Sequence, residues 1–302
     1  MDLVPAARAA EPLQQQGFLR DHGLPQAPDW NNIQLAETWP DQLDFRRWRS
    51  WREVLRSFLG KEHRPVVLPE GAFTLPSVPK YLLQEFHNLP NGNYSSRFSR
   101  GYITGFDIAM CGHMQRARAW IANHLYGLDF VLDVGTAGGR TAAAIKQAEV
   151  KRVWGLDPSP YLLRHAAHDH PGIEFIPGLA EDLPFADQSL DGIALCFVLH
   201  EIPPKYIEQA LAEFARVLKP GGKLVIAEPS HEQLQPLRLR ELLRAAGWSK
   251  LYFKLLAARV YEPFVDAWHK LDKPQLLAAA GFSAIETRPG MPIAMWTAEK
   301  AR

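Results

Sequence analysis

The sequence has few cysteines, no long apolar run and no excess of charge of either sign. Cys111 and Cys196 are the only two cysteines, so no disulfide framework is available and a reducing compartment is expected. No stretch of 18 or more apolar residues occurs, which excludes stable membrane insertion. Lys and Arg number 34 against 33 Asp and Glu, so no overall field attracts nucleic acid or an anionic membrane. Residues Met1–Glu11 lack the pattern of a signal peptide, and we expect a cytoplasmic location.

Two parts of the chain have different patterns. Residues 1–127 contain Pro-rich connectors, short helical patterns and four tryptophans within about twenty residues. From residue 128 onward, short apolar runs alternate with helical patterns, which is typical of βαβ units around a parallel sheet. We therefore predict an α/β fold. It comprises a Rossmann-like, doubly wound, seven-stranded sheet with a terminal antiparallel β-hairpin over 128–302, and a mainly helical N-terminal cap over 1–127. Residues 231–271 are predicted to form an irregular insertion on the substrate side.

Most of the first five predicted strands are near-continuous apolar runs, as expected when helices cover both faces of a sheet. The predicted strands are Phe130–Val134, Arg152–Leu156, Ile173–Pro177, Gly192–Val198, Lys223–Ala227, Ser283–Thr287 and Pro292–Ala298. The predicted helices are Arg140–Glu149, Pro160–Asp169, Pro204–Leu218 and Pro274–Ala280. The last two strands flank a Pro-Gly turn, which predicts the antiparallel hairpin.

A glycine-rich turn follows the first predicted strand, in the sequence Gly135-Thr136-Ala137-Gly138-Gly139-Arg140. Small residues there allow backbone N–H groups to approach a ligand, and the following helix N-terminus favours an anionic or polar group. The second predicted strand ends at Asp157, where a carboxylate can accept both hydroxyls of a ribose. The alternative is that Asp157 caps the next helix. NAD is disfavoured because a dinucleotide fingerprint requires a small residue where Arg140 stands.

In their order and spacing, four blocks resemble the class I S-adenosylmethionine-dependent methyltransferases, in the small-molecule branch that includes the ubiquinone/menaquinone C-methyltransferases. The blocks are Val131–Thr141, Gly155–Ser159, Gly178–Phe185 with Ser189–Asp191, and Arg216–Gly222. The resemblance covers about 128–302. It implies S-adenosylmethionine as cofactor, S-adenosylhomocysteine as product, and methyl transfer to a small, apolar or aromatic acceptor. It leaves open the acceptor's identity, the acceptor atom (carbon, oxygen, nitrogen or sulfur) and the oligomeric state. The alternatives are a non-methylating reaction in the same pocket and a non-catalytic sensor or scaffold.

The resemblance also implies roles for individual residues. Asp133 would orient the cofactor's ammonium group through water, and Asp157 would bind the ribose. Leu179 stands where many relatives carry aspartate, which assigns the adenine edge to Glu181 or to backbone. Ala137 stands where glycine is usual. The full set of implied cofactor contacts is Asp133, Gly135, Thr136, Ala137, Gly139, Asp157, Pro158, Ala180, Glu181, Cys196 and Phe197.

Two candidates for a general base follow the fourth predicted strand. Substrates of open α/β sheets bind beyond the carboxyl ends of the strands, where His200 and Glu201 are expected. Histidine titrates near neutrality, which suits a base if the acceptor must lose a proton. In the alternative, His200 binds a loop carbonyl and Glu201 faces water.

Segments outside these blocks supply further candidates, all of which have packing or capping without ligand contact as the alternative. The substrate-pocket and lid candidates are Tyr94, Arg100, Tyr102, Glu228 and His231. Of these, Arg100 is predicted to meet the carboxylate of the cofactor's methionine part. No set of His, Cys, Asp and Glu has metal-site spacing, and no metal is predicted.

The segment Leu43–Arg64 predicts an amphipathic helix. Its apolar face comprises Phe45, Trp48, Trp51, Leu55, Phe58 and Leu59, with a stripe of Arg49, Arg52 and Arg56 beside it. One hypothesis is a membrane-surface helix that takes up a lipophilic acceptor such as a quinone, which leaves peripheral membrane contact open. We predict the other, a cap that docks its aromatic face on the core. Trp48 and Trp51 would then be mostly buried, and Trp51→Ala would cost about 3–5 kcal/mol.

Overall fold

A computed structural model of the chain describes residues 24–59, 63–69, 73, 75, 77–236 and 245–302. The segment Met1–Glu11, on which the prediction of location partly rests, lies outside the described residues. So do residues 60–62 of the predicted amphipathic segment and 237–244 of the predicted insertion. None of the helices in the described part has the length and apolar character that a bilayer crossing requires.

The described residues form a seven-stranded sheet with the strand order β3-β2-β1-β4-β5-β7-β6. The strands are β1 (Phe130–Val134), β2 (Arg152–Asp157), β3 (Glu174–Pro177), β4 (Leu190–Cys196), β5 (Leu218–Pro229), β6 (Phe282–Arg288) and β7 (Ile293–Lys300). Strands β1 to β5 are parallel, and β7 runs antiparallel to both β5 and β6. The predicted fold class is confirmed, including the terminal antiparallel hairpin.

Helices cover both faces of the sheet. They are α1 (Trp48–Leu59), α2 (Ser96–Ala109), α3 (His113–His124), α4 (Arg140–Gln147), α5 (Pro160–Asp169), α6 (Pro204–Val217), α7 (Ala245–Ala257), α8 (Val265–Lys270) and α9 (Lys273–Ala279). Central strand β1 is buried along its whole length because helices lie over both of its faces. The chain leaves β1 toward β2 and returns on its other side as β4, so the carboxyl ends of β1 and β4 form a topological switch point. Ligands of open α/β sheets bind at such points.

Several predicted segments differ from the structure. Strand β5 begins at Leu218, ahead of its predicted start at Lys223. Strand β4 ends at Cys196, two residues before the predicted end, because Phe197 adopts a left-handed φ of 64° that a strand cannot continue. The stretch 231–271, predicted to be irregular, contains a short 3-10 turn at His231–Leu234 and the helices α7 and α8. The spacing of Trp248, Leu251, Tyr252 and Leu255 is helical, and the prediction missed it.

The N-terminal residues lie against the sheet domain through long-range hydrogen bonds. The indole N–H of Trp30 donates to the carbonyl of Phe175 in β3, at 2.8 Å. The hydroxyl of Ser159, just before α5, donates to the carbonyl of Asn93 at 2.5 Å. These bonds hold the loop before α2 close to the carboxyl end of the sheet. That loop therefore contributes to whatever site forms there.

Helix α1 is oriented differently from the prediction. Trp48 is 72% exposed and Trp51 is 48% exposed, so the prediction that both are mostly buried is wrong. The buried residues of the helix are Ser50, Val54 and Ser57. Small side chains on that face allow close contact with the segment around Glu85, whose carboxylate accepts from the Ser57 hydroxyl and from the backbone N–H groups of residues 64 and 91. The expected cost of Trp51→Ala no longer applies.

Candidate active site

The glycine-rich turn after β1 passes close to two other elements. A Cβ atom added at Gly135 would lie 2.5 Å from the side chain of Val198, and one at Gly138 would lie 2.7 Å from Ile103. Gly135 also has a φ of +65°, which favours glycine. Asp133 stabilises the turn, because its Oδ2 accepts a hydrogen bond from the Thr136 hydroxyl at 2.6 Å. Burial raises the pKa of Asp133 to about 7.

Asp157 closes the turn from the neighbouring strand. Its Oδ2 accepts from the N–H of Ala137 at 2.9 Å, and its Oδ1 accepts from the N–H of Ser159 at 2.8 Å. Burial raises its pKa to about 7, although the two backbone hydrogen bonds oppose that rise. Each carboxylate oxygen can accept a further bond. The alternative role as a helix cap is wrong, because Ser159 caps α5 by accepting from the N–H of Leu162.

A cavity opens at the switch point, above this turn. The predicted site residues that line it are Tyr94, Tyr102, Gly135, Thr136, Ala137, Asp157, Pro158, Ala180, Cys196, Phe197 and Glu201. The predicted site residues outside its lining are Asp133, Gly139, Glu181, Arg100, His200, Glu228 and His231. We call this space the cofactor cavity.

The residues outside the lining have other contacts. Gly139 packs on Phe175, where an added Cβ would lie 2.8 Å from the ring. Glu181 accepts a hydrogen bond from the hydroxyl of Tyr81 at 2.7 Å, and Tyr81 itself lines the cavity. Arg100 is directed elsewhere, 3.7 Å from Asp169, with 59% of its side chain exposed. His231 is exposed.

Sequence reasoning missed the two arginines of the cofactor cavity. Arg118 and Arg140 both line it, and both pair with Asp107. The bond between Arg118 and Asp107 is bidentate, at 2.7 and 2.8 Å. These residues come from three different helices, so no local pattern could have grouped them. Two buried polar atoms of the lining, Asn93 Oδ1 and the Tyr94 hydroxyl, have no hydrogen-bond partner within the described chain.

A second cavity of about 400 Å³ adjoins the first. Tyr102, Phe106 and Phe197 line both cavities, so the two share a wall. The other side chains around it are mainly apolar and come from α1, α2, α7 and neighbouring loops: Phe58, Leu89, Phe98, Met110, Phe253, Leu256 and Val260. The charged or titratable exceptions are His87 and Glu262. We call this space the apolar cavity.

A chain of ionisable side chains connects the two cavities. His87 Nε2 lies 3.1 Å from Glu201 Oε1 and 3.7 Å from Glu262 Oε1. The same Glu262 oxygen lies 3.6 Å from His200 Nε2. His200 Nδ1 is 2.7 Å from Glu228 Oε2, and the side chains of both are fully buried. Glu228 Oε1 accepts hydrogen bonds from the backbone N–H groups of residues 198 and 199, which hold the Glu228 carboxylate in place.

The carboxylates in this series of ionisable side chains favour the protonated, charged form of both imidazoles. Burial lowers the pKa of His87, but the carboxylates of Glu201 and Glu262 outweigh it and raise the pKa above its ordinary value. Burial likewise opposes charge on His200, and Glu262 and Glu228 raise its pKa well above that value. His87 Nδ1 is buried and has no partner among the described residues. His87 also has a φ of 57°, a strained conformation of the kind that clusters at functional sites.

Comparisons with known proteins indicate the family of the chain. The family described as "Methyltransferase domain" matches residues 132–226. A demethylmenaquinone methyltransferase of Thermobifida fusca is 31% identical over 179 residues, which cover 54% of this chain and 72% of that protein. The chain belongs to the class I S-adenosylmethionine-dependent methyltransferase family.

Two further likenesses were found for this family member. A demethylmenaquinone methyltransferase of Renibacterium salmoninarum is 38% identical over 135 residues, covering 44% of this chain. The match spans 55% of that relative's length. Among solved structures, phosphoethanolamine N-methyltransferase 2 of Haemonchus contortus, in complex with S-adenosyl-L-methionine, aligns with a TM-score of 0.45 and 15% identity, covering 61% of this chain and 52% of that one. The cofactor of the family, S-adenosylmethionine, is the one that the resemblance of the four sequence blocks implies.

Proposed function

We propose that the protein transfers a methyl group from S-adenosylmethionine to an apolar aromatic acceptor that carries a ring hydroxyl, as a reduced quinone does. The observation that carries this proposal is the shared wall between the cofactor cavity and the apolar cavity, with His87 beside it. His87 lines the apolar cavity and has one ring nitrogen without a partner among the described residues. The names of the two relatives, demethylmenaquinone methyltransferases, support an acceptor of the quinone type.

The residues of the cofactor cavity fit the proposed cofactor. Asp157 would bind the ribose hydroxyls with its remaining acceptor capacity. Asn93, Tyr94 and Arg118 offer a buried acceptor, a buried hydroxyl and a positive charge to the polar methionine part. Ala180 would lie at the adenine. When bound, S-adenosylmethionine supplies a methyl group attached to a positively charged sulfonium. After the transfer, the rest of the cofactor leaves as a neutral thioether.

His87 is the proposed general base. Glu201 faces its Nε2, which favours the tautomer with the proton on Nε2 and the lone pair on Nδ1. Nδ1 would accept the proton of the acceptor's hydroxyl, and the resulting oxyanion would raise the electron density of the ring. A ring carbon would then bond to the methyl group as the sulfur–methyl bond breaks, and release of the proton from that carbon to solvent would restore the aromatic ring. The imidazolium formed in this step would be stabilised by the carboxylates of Glu201 and Glu262, as a triad carboxylate stabilises its histidine.

His200, predicted from the sequence as a candidate base, is proposed here as a positioning residue. It lines neither cavity and touches Glu262 on one side and Glu228 on the other. Its effect on the reaction would pass through Glu262. Glu201 keeps a direct role, because it lines the cofactor cavity and contacts His87.

Incubation with methyl-labelled S-adenosylmethionine and a panel of acceptors tests the proposal. The panel contains naphthohydroquinones with and without an alkyl tail, a phenol, an apolar alcohol without an aromatic ring, and a polar amine. We expect label on the hydroquinones, detected by mass spectrometry. Transfer to the amine alone would contradict the proposed acceptor, and cofactor binding without any transfer would favour a sensor.

A further inference from the structure

Helix α1 presents its apolar side chains to solvent. Successive helical residues are about 100° apart around the axis, and five apolar residues share one arc of about 100°. We call this set the α1 arc: Trp48, Trp51, Leu55, Phe58 and Leu59. Exposure within it runs from 40% for Phe58 to 78% for Leu59. A surface helix normally buries such a face, and α1 buries its serines instead.

Helix α7 carries a second exposed arc of the same kind. Trp248, Tyr252 and Leu255, spaced four and three residues apart, are 62%, 41% and 53% exposed. We call these three residues the α7 arc. The spacing places them on one side of the helix. Tryptophan and tyrosine are the residues most enriched where proteins meet the interface of a bilayer.

The two helices that carry the arcs both line the apolar cavity. Phe58 of the α1 arc lines the apolar cavity, as does Leu256 beside Leu255 of α7. Asn88 joins the ends of the two helices, because its side-chain amide donates to the carbonyls of Phe58 and Arg259. An apolar surface thus adjoins an apolar cavity.

The charge beside the α1 arc is positive. Arg49, Arg52 and Arg56 are exposed on the adjoining strip of the helix, and no ion-pair partner is found for them within the described chain. The acidic residue of α1, Glu53, is paired with Arg64 at 2.9 Å. The whole chain has a net charge of only +1, so the positive charge is local. Such a strip complements an anionic surface.

We propose that the α1 arc, the α7 arc and the three arginines seat the protein on the surface of an anionic lipid bilayer. The apolar side chains would enter the headgroup region while the arginines meet lipid phosphates, as in interfacial amphipathic helices. The helices lie on the membrane and do not cross it. If the proposed function holds, the apolar cavity would then receive a lipophilic acceptor from the bilayer.

Vesicle flotation tests this proposal without acceptor or cofactor. The full chain is mixed with vesicles of phosphatidylcholine alone, or of phosphatidylcholine with about 30 mol% phosphatidylglycerol, at low and at high salt. We expect flotation with the anionic vesicles at low salt only. Arg49→Gln/Arg52→Gln/Arg56→Gln lowers the partition coefficient about a hundredfold, at roughly fivefold per arginine. The matched control, Arg164→Gln/Arg288→Gln/Arg302→Gln, removes the same charge from other exposed sites and binds as the parent does.

A second variant tests the apolar arc. Trp48→Ser/Leu59→Ser keeps the arginines and should lower partitioning roughly tenfold or more, because two large apolar contacts are lost. Both replaced side chains are more than 70% exposed, so circular dichroism should show an unchanged fold. Absence of binding to anionic vesicles overturns the proposal. So does salt-insensitive binding to both vesicle types, or a dimer in solution that Trp48→Ser/Leu59→Ser dissociates. Flotation without methyl transfer would leave the membrane proposal standing and contradict only the proposed function.

Discussion

The cofactor cavity and the apolar cavity share a wall but are built by different parts of the chain. Loops after β1, β2 and β4 supply much of the cofactor cavity, with polar groups held by the backbone of a parallel sheet. The apolar cavity draws its walls chiefly from α2, which precedes β1, and from α7, which follows β5, with Phe58 contributed by α1. One end of the sheet thus frames the cofactor cavity, while added helices shape the apolar cavity.

This difference explains how one fold serves many acceptors. The turn geometry at Gly135 and Asp157 depends on strand register, which tolerates little change. Helices outside the sheet can vary in sequence without disturbing that register. The choice of acceptor therefore depends on the lining of the apolar cavity and not on the sheet.

The largest expected effect is at the boundary between the cavities. His87→Gln removes the proposed base and should lower kcat by about 10²–10⁴-fold, the usual contribution of general-base catalysis. The affinity for S-adenosylhomocysteine, measured by calorimetry, should stay the same because His87 does not line the cofactor cavity. The control is His168→Gln, because His168 lies on α5 with its side chain exposed. A kcat within about threefold of the parent would remove His87 from the mechanism.

Asp157 tests the cofactor side of the comparison. Asp157→Asn keeps the size of the side chain but replaces a charged acceptor with a neutral one. Losing charge-assisted hydrogen bonds typically costs about 1.5–3 kcal/mol, so S-adenosylhomocysteine should bind tens-fold more weakly. Asp266→Asn, at an exposed position in α8, is the control. Calorimetry that finds equal affinities would mean that Asp157 serves only to brace the turn.

Leu256 tests the acceptor side. Leu256→Ala removes apolar surface from the apolar cavity and should raise the KM for the acceptor about tenfold, at about 25 cal/mol per Å² of lost contact. The KM for the cofactor should be unchanged. Leu276→Ala is a matched control, because Leu276 is also partly buried but packs in the core cluster on β1, β4 and β5. A rise in both KM values, or in neither, would contradict the assignment of the acceptor to the apolar cavity and of the cofactor to the other cavity.

The sequence allowed good prediction of one cavity and poor prediction of the other, for a physical reason. Backbone turns and strand ends are local, so Gly135 and Asp157 could be placed from the spacing of neighbouring residues. His87 and Glu262 meet only because two distant segments fold over the same sheet edge, which no spacing reveals. The face of α1 was also mispredicted. Periodicity identifies an apolar face but does not determine whether that face meets the protein or its surroundings.

The smallest expected effect is a shift in pH dependence. His87 must be neutral to accept a proton, so kcat/KM should fall as the pH drops below its pKa, which the nearby carboxylates raise above the ordinary value despite burial. Glu201→Gln removes one of these carboxylates, leaving Glu262 and the charge of His200 facing the ring. The pKa of His87 should then fall by about one unit, which moves the acidic limb of the profile to lower pH. The plateau at high pH should also decrease, because a less basic imidazole accepts the proton less readily. Profiles of kcat/KM from about pH 5 to 9 check this; an acidic limb that stays in place, or moves to higher pH, would separate Glu201 from the titration of His87.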